Sequence, residues 1–278
     1  MKKILITGVN GYVGNSFIKW IKKNNEEKYE IDTLSLRNED WRNEKFKEYE
    51  TILHLAAIVH SKNIDRQKYY KINKELTINL AKKAKLEGVK HFIFFSTLSV
   101  YGKNVGEINK STIPNPINDY GKSKLEAENE LIKLEDDQFK ISIIRSPVIY
   151  GKNSPGNFDL LNKKSKYFRF FPDIKNKRSM IFIDNLSSFL NGVIEHQETG
   201  ILHPQNKNYV SISLMISEIR KINKKDTTIL HFKVPKFFYE KVPYVGKIFG
   251  DLTIDHEVSK VSFNYNEVHF KETIKKSI

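Results

Sequence analysis

Residues 7–14 read Thr-Gly-Val-Asn-Gly-Tyr-Val-Gly, directly after an apolar run, KILIT at 3–7. That run has the character of a short buried strand, and Val13, Phe17, Ile18 and Ile21 follow it at helical spacing. A glycine loop between a first strand and a first helix is tightly constrained. Gly8 permits a sharp turn, Gly11 lets the backbone approach a pyrophosphate, and Gly14 lets the helix pack closely on the strand. The helix start then offers free amides and a positive dipole end to an anion. Gly8, Asn10, Gly11, Tyr12, Val13 and Gly14 are therefore candidate dinucleotide-binding residues.

The alternation continues down the chain. Strand patterns at 30–36, 51–55, 91–96, 140–145 and 200–203 alternate with helical patterns at 65–87, 119–134 and 185–195, with a strand-like piece at 180–183. Gly88 suits the C-terminal cap of the 65–87 helix. Continuous apolar strands separated by helices predict an α/β fold: a Rossmann-type, doubly wound parallel sheet covered on both faces. Residues 151–178 and 204–278 break the rhythm with Gly, Pro, Asn and aromatics. The expected organisation is a dinucleotide-binding core at 1–150, rejoined by 179–203, with a small substrate-binding lobe formed by 151–178 and 204–278. A length of 278 residues fits one domain with such a lobe.

Composition narrows the chemistry. The chain has no cysteine, which excludes disulfides, thiolate metal sites and a cysteine nucleophile. The histidines are scattered and no metal is expected. No apolar stretch approaches the ~18 residues of a membrane span. The strand pattern starts at the N-terminus, so no signal peptide is expected and the compartment is expected to be cytoplasmic. The net charge of +14 is read first as a compositional, lysine-rich surface, and second as a pull on nucleic acid, a membrane or a phosphorylated ligand. No run of five basic residues occurs, which argues against nucleic acid. The segment 233–252 (KVPKFFYEKVPYVGKIFGDL) interleaves lysines with aromatics, including Phe237 and Phe238. Membrane-surface contact is one reading of it. Packing within the lobe with solvated lysines is favoured, because Pro235 and Pro243 preclude one long amphipathic helix.

An acid at the end of the second strand, about 20 residues beyond the loop, would hold an NAD ribose. Here Ser35 stands near that point, Arg37 follows, and Asp32 lies inside the strand. Serine with arginine suits a 2′-phosphate, which favours NADP(H) over NAD(H). Asp40 is a candidate for the adenine amino group.

His54-Leu55-Ala56-Ala57 after the third strand, Ser96-Thr97-Leu98-Ser99-Val100-Tyr101-Gly102 after the fourth and Tyr120-Gly121-Lys122-Ser123-Lys124 follow the glycine loop in that order. Together they resemble the extended short-chain dehydrogenase/reductases, the NAD-dependent epimerase/dehydratase family, which act on nucleotide sugars. Tyr120 and Lys124 are four residues apart and share a helix face. An ammonium there would lower a phenol pKa of ~10. The resemblance implies that Thr97, Tyr120 and Lys124 are catalytic, that Lys124 also holds the nicotinamide ribose, and that Thr97 and Ser99 meet the sugar. It further implies cofactor contacts from Leu55, Ala56, Ala57, Asn73, Ser96, Pro147 and Val148.

On the substrate side it implies that Asn157 and Arg178 contact a UDP diphosphate, for which a guanidinium fork is suited. The match is closer to bacterial capsule and O-antigen UDP-N-acetyl-fucosamine or UDP-N-acetyl-quinovosamine 4-ketoreductases. It extends through HLAAIVHS at 54–61, PGNFDLL at 155–161, FPDIKNKRSMIFIDNL at 171–186, His203-Pro204-Gln205 and Phe249-Gly250-Asp251-Leu252. The expected activity is NADPH-dependent reduction of a UDP-4-keto-6-deoxy-N-acetylhexosamine. A UDP-hexose 4-epimerase with bound NAD is the alternative. A non-catalytic dinucleotide- or nucleic-acid-binding relative is more remote, since Tyr120 and Lys124 are both kept. A homodimer through the two long helices is also implied.

Overall fold

Alternating apolar residues of the strands sort onto two faces of one sheet. The computed structural model describes residues 1–59, 65–155, 157–165, 167, 169–225, 227–230 and 250–278, with only the backbone at 157, 159, 160 and 164. Six strands, β1 (Lys2–Thr7), β2 (Tyr29–Leu34), β3 (Thr51–His54), β4 (His91–Thr97), β5 (Lys140–Ser146) and β6 (Gly200–Leu202), form a parallel sheet in the order β6-β5-β4-β3-β1-β2. In register, Thr7 lies beside Leu34 and His54, and Thr97 beside Ser146, so these strands end together.

One face carries Ile4, Ile6, Leu53, Ile93 and Ile144, packed against Phe17 and Ile21 of α1 (Tyr12–Asn24). The other carries Leu5, Ile52, Phe92, Phe94, Ile141 and Ile143, packed against Leu80, Ala81 and Ala84 of α2 (66–86) and Ala127 and Leu131 of α3 (Asp119–Ile132). Strand periodicity of two produces both cores from the same residues. Helix α2 is continuous but irregular: an α-helical turn at Arg66–Tyr69, a π-helical stretch at Tyr70–Leu76, then α-helix over Thr77–Leu86.

The remaining helices are α4 (Asn157–Ser165), α5 (Ile183–His196), α6 (Ile212–Ile222) and α7 (Phe270–Ser277). Phe189, Leu190 and Val193 of α5, Met215 and Ile219 of α6 and Ile274 of α7 belong to the same core as Ile4 and Phe17. The C-terminal segment therefore shares the core of one sheet face. Short parallel pairs tie it further: Val148–Tyr150 with Met180–Phe182, Gly106–Ile108 with Leu252–Ile254, and Phe170–Pro172 with Thr228–Leu230.

Two details position the site. A doubly wound sheet of order 3-2-1-4-5-6 has one strand beyond the second; here β2 is the edge, and the chain returns through the short helical segment Glu39–Asn43 to β3. Trp41 and Phe46 on that return are buried beside Leu5 and Ile52. The order still reverses direction at β1, which opens a crevice at the carboxyl ends of β1 and β3, where sheets of this kind take ligands. β2 also stops at Leu34, two residues short of the expected end, leaving Ser35 and Arg37 in the following loop. Among the described residues no helix is long and apolar enough to cross a membrane. Most of the basic-aromatic segment 233–252 lies outside the described residues, as does the 60–61 part of the 54–61 match.

Candidate active site

At the crevice mouth the chain turns from β1 into α1. Gly8 has φ +91°, and a β-carbon there would lie 2.8 Å from the Ala56 backbone nitrogen and 3.0 Å from the Leu55 carbonyl carbon. Only glycine combines that backbone angle with that approach. Gly8 O accepts from Gly11 N–H at 3.0 Å, closing the turn, and Asn10 takes the left-handed conformation at φ +67°. At Gly14 an added β-carbon would sit 3.3 Å from Leu55 Cδ1, so the glycine sets helix–strand spacing. Gly11 caps α1 without a side-chain bond, and no acidic residue lies in the first turn. The amides of Tyr12 to Gly14 precede the helix bond from Asn15 N–H to Gly11 O. This cradle, with Leu55, Ala56 and Ala57 half-buried beside it, fits the diphosphate of a dinucleotide.

The second half of the crevice lies at the end of β4. Thr97 ends the strand and caps the short turn Leu98–Tyr101, its Oγ1 accepting from Ser99 N–H at 3.2 Å and lying 3.2 Å from Ser99 Oγ. Asn118 caps α3, its Oδ1 accepting from Gly121 N–H at 2.8 Å. Gly121 brings the two segments together: a β-carbon there would be 2.6 Å from Ser99 O. The close approach brings the Tyr120 phenol beside the Thr97 side chain, which favours the phenolate.

Burial pushes the Tyr120 phenol up to about 12, against the opposing effect of the Thr97 bond. Lys124, one turn on, is 2 % exposed. Its Nζ donates to the Phe95 carbonyl at 2.8 Å and sits 4.3 Å from the centre of the Phe94 ring. Burial brings it down to about 7, and only Glu128 pulls the other way. The resting phenol is therefore raised where a lowering was expected, which leaves Tyr120 protonated before any transfer. Burial dominates both groups, and the lysine is anchored on a backbone carbonyl.

Two further residues of the expected cofactor set make bonds within the protein. Ser96, expected at the cofactor, is buried, and its hydroxyl donates to Glu128. It faces the opposite side of β4 from Thr97, as alternation along a strand requires. Asn73, also expected at the cofactor, is fully buried. Its Oδ1 accepts from Ile58 N–H at 2.9 Å and its Nδ2 donates to Ile58 O at 3.0 Å and to Ser123 Oγ at 3.3 Å. It braces the backbone beyond Ala57. His54, at the end of β3, joins Thr7 Oγ1 through Nδ1 at 2.7 Å and Thr77 Oγ1 through Nε2 at 2.9 Å.

The other expected residues are placed as follows. Ser35, Arg37 and Asp40 are exposed in the loop after β2, Ser35 Oγ 3.5 Å from Arg37 N, and Asp40 accepts from Asn38. Arg37 has no acidic partner among the described residues. Pro147 and Val148 follow β5, with Val148 44 % exposed. Arg178 bridges Val210 and Leu252 through its backbone, and its Nη1 donates to Gly250 O at 2.9 Å; burial lowers its pKa. The Asn157 side chain lies outside the described residues.

Sequence reading missed Glu128, Arg145, Tyr101 and His203. Arg145 Nη2 donates to Glu128 Oε2 at 2.6 Å, and its Nη1 to Tyr101 OH at 2.7 Å; Tyr101 OH meets His203 Nε2 at 2.8 Å. The available signal was an arginine closing an apolar strand, KISIIR, and a glutamate four residues after Lys124. Among the described residues no group of His, Asp and Glu could hold a metal ion.

Residues 4–202 match the NAD dependent epimerase/dehydratase family. UDP-glucose 4-epimerase of Vibrio cholerae is 28% identical over 98% of this chain and 90% of its own length. N-acetyl-alpha-D-glucosaminyl-diphospho-ditrans,octacis-undecaprenol 4-epimerase of Escherichia coli O157:H7 is 25% identical over 84% of this chain and 76% of its own. UDP-glucuronic acid 4-epimerase from Bacillus cereus, solved with NAD, superposes with a TM-score of 0.76 at 22% identity, covering 99% of this chain and 95% of that one.

Proposed function

The chain belongs to the NAD-dependent epimerase/dehydratase family, and on that premise we propose that it is a nucleotide-sugar oxidoreductase, an NADPH-dependent 4-ketoreductase of a UDP-4-keto-6-deoxy-N-acetylhexosamine. The observation that carries the reading is the Thr97–Tyr120–Lys124 cluster at the end of β4, beside the glycine cradle at the end of β1. Gly8 to Gly14 and the α1 amides would hold the dinucleotide diphosphate, and Lys124 the nicotinamide ribose. When bound, the reduced nicotinamide supplies a hydride to C4 of the sugar. Tyr120, protonated at neutral pH, donates its proton to the C4 oxygen while the Thr97 hydroxyl holds that oxygen. The Lys124 cation stabilises the phenolate left behind. Arg178 is the proposed contact for the UDP diphosphate, together with Asn157.

The end of β2 supports NADPH. Ser35 and Arg37 stand where an NAD enzyme would place an acid, and Asp32 is occupied inside the strand by the Tyr49 hydroxyl at 2.9 Å and by Lys3 at 3.6 Å. Incubating the protein with NADPH and the 4-keto product of a UDP-N-acetylglucosamine dehydratase should consume the cofactor. No consumption with any 4-keto UDP-sugar would sink the reductase. A second reading, a UDP-hexose 4-epimerase with retained NAD, is favoured by the Vibrio cholerae relative, whose similarity runs over 98% of this chain. Its signature would be co-purified NAD and interconversion of UDP-sugars without net redox change.

A further inference from the structure

The charged groups buried behind the site form one connected set. Glu128 is fully buried on α3, with Tyr120 and Lys124 eight and four residues before it along the same helix. Its carboxylate is held by Ser96 from β4 and by a two-pronged contact from Arg145 of β5, Nη2 at 2.6 Å and Nε at 3.1 Å. Arg145 continues to Tyr101 in the turn that Thr97 caps, and Tyr101 to His203 just beyond β6. No residue of this set has a role in the proposed proton transfer, yet burying two charges is costly unless they act together.

Lys124 is the nearest group that could use the carboxylate. Facing it are His54 on β3, the Phe94 ring and Phe95 carbonyl on β4 and, on its own helix, Tyr120 four residues before it and Glu128 four residues after it. His54 is buried and neutral at neutral pH, and Arg145 remains a cation paired with Glu128. Among the described residues Glu128 is the anion that favours the charged lysine.

We propose that Glu128 is a positioning residue: pinned by Ser96 and Arg145, it keeps Lys124 in the ammonium form and so keeps Tyr120 able to give up its proton. The functional half of this statement rests on the reading of Tyr120 as proton donor; the electrostatic half does not. Both are separable by experiment. In the full-length protein labelled with ¹³Cε-lysine, one lysine should titrate at about 7, well below the rest, and Lys124→Met should remove that signal. Glu128→Gln should move its midpoint down by about one pH unit. If the enzyme turns over a UDP-sugar, the pH at which kcat/KM falls should move down by the same interval, with KM for the sugar unchanged.

A Glu128→Gln protein with the lysine midpoint unmoved would overturn the proposal, even if its stability dropped, since that would mark Glu128 as structural only. Should that variant fail to fold, Glu128→Asp carries the test. It keeps Arg145 paired while withdrawing the carboxylate by one carbon, and should move the midpoint down by roughly half as much; no movement overturns the proposal. Absence of turnover with every UDP-sugar would count against the reductase and epimerase readings and leave the lysine titration standing.

Discussion

Lys124 Nζ is bonded to the Phe95 carbonyl at 2.8 Å, so the cation of the site is fixed by the backbone of β4 and not by direct contact with an anion. A lysine locked to a carboxylate would have its charge largely spent. One held by a neutral carbonyl keeps donors and field for a phenolate and a ribose hydroxyl. The cost of that arrangement is desolvation, which brings the ammonium down to about 7.

Tyr120→Phe removes the transferable proton and little else, because the ring still packs near Tyr69. Turnover should drop by about 10²–10⁴-fold. Dinucleotide affinity, followed by the fluorescence of bound NADPH, should stay within about twofold, since general acid catalysis contributes to the transition state and not to cofactor binding. A variant with near-normal turnover would remove Tyr120 from the mechanism.

Arg37→Ala tests the cofactor. The exposed guanidinium should pair with a 2′-phosphate at the worth of one charge-assisted bond, so the preference for NADPH over NADH should fall about tenfold or more. NADH parameters should not change. Equal effects on both cofactors would exclude a 2′-phosphate role.

Gly121→Ala would drive a β-carbon to 2.6 Å from Ser99 O, a backbone atom that cannot swing aside. The start of α3 must withdraw from the Thr97 turn. Stability should fall by about 1–3 kcal/mol, and kcat should fall more than the stability loss implies, because Tyr120 moves with the helix. Denaturant midpoints and kinetics on the same preparation would separate the two effects.

Acid should weaken the fold through three buried histidines. His54 is lowered to about 3, and His91 and His203 to about 4, chiefly by burial. The unfolded chain therefore takes up protons first. Their contribution is complete above the unfolded value of about 6.5 and is lost as pH falls towards the folded values, by roughly 1.4 kcal/mol per pH unit for each. Urea midpoints measured from about pH 7 down to about pH 5 should fall steadily. His91→Gln, which can still reach Ser142, should flatten that slope by about a third; an unchanged slope would acquit His91.

Much of the architecture was readable from two periodicities. The run KILIT, the HFIFFS strand and the KISIIR strand are apolar on both sides because both faces are covered, and the two cores divide their residues by alternation. The same alternation accounts for Ser96: adjacent to Thr97 in sequence, its side chain must point the other way. The Gly8 and Gly121 contacts are consequences of close backbone approach, and only the first belonged to a recognised loop. Asn73 and Arg145 were less legible. Their partners, Ile58 and Glu128, lie 15 and 17 residues away across tertiary contacts that no local pattern encodes.

The π-helical stretch at Tyr70–Leu76 gives α2 a phase difference between its two ends. Downstream of it, Leu80, Ala81 and Ala84 seal the sheet; within it, Asn73 meets Ile58 and Ser123. A regular helix advances about 100° per residue, so deleting a single residue there would restore uniform winding while swinging Asn73 or the apolar stripe out of alignment. The widened turn lets one helix serve two clients with incompatible angular demands. Such turns concentrate at functional sites, and here the widened winding allows the wall of the hydrophobic core and the brace of the crevice to be written on the same rod.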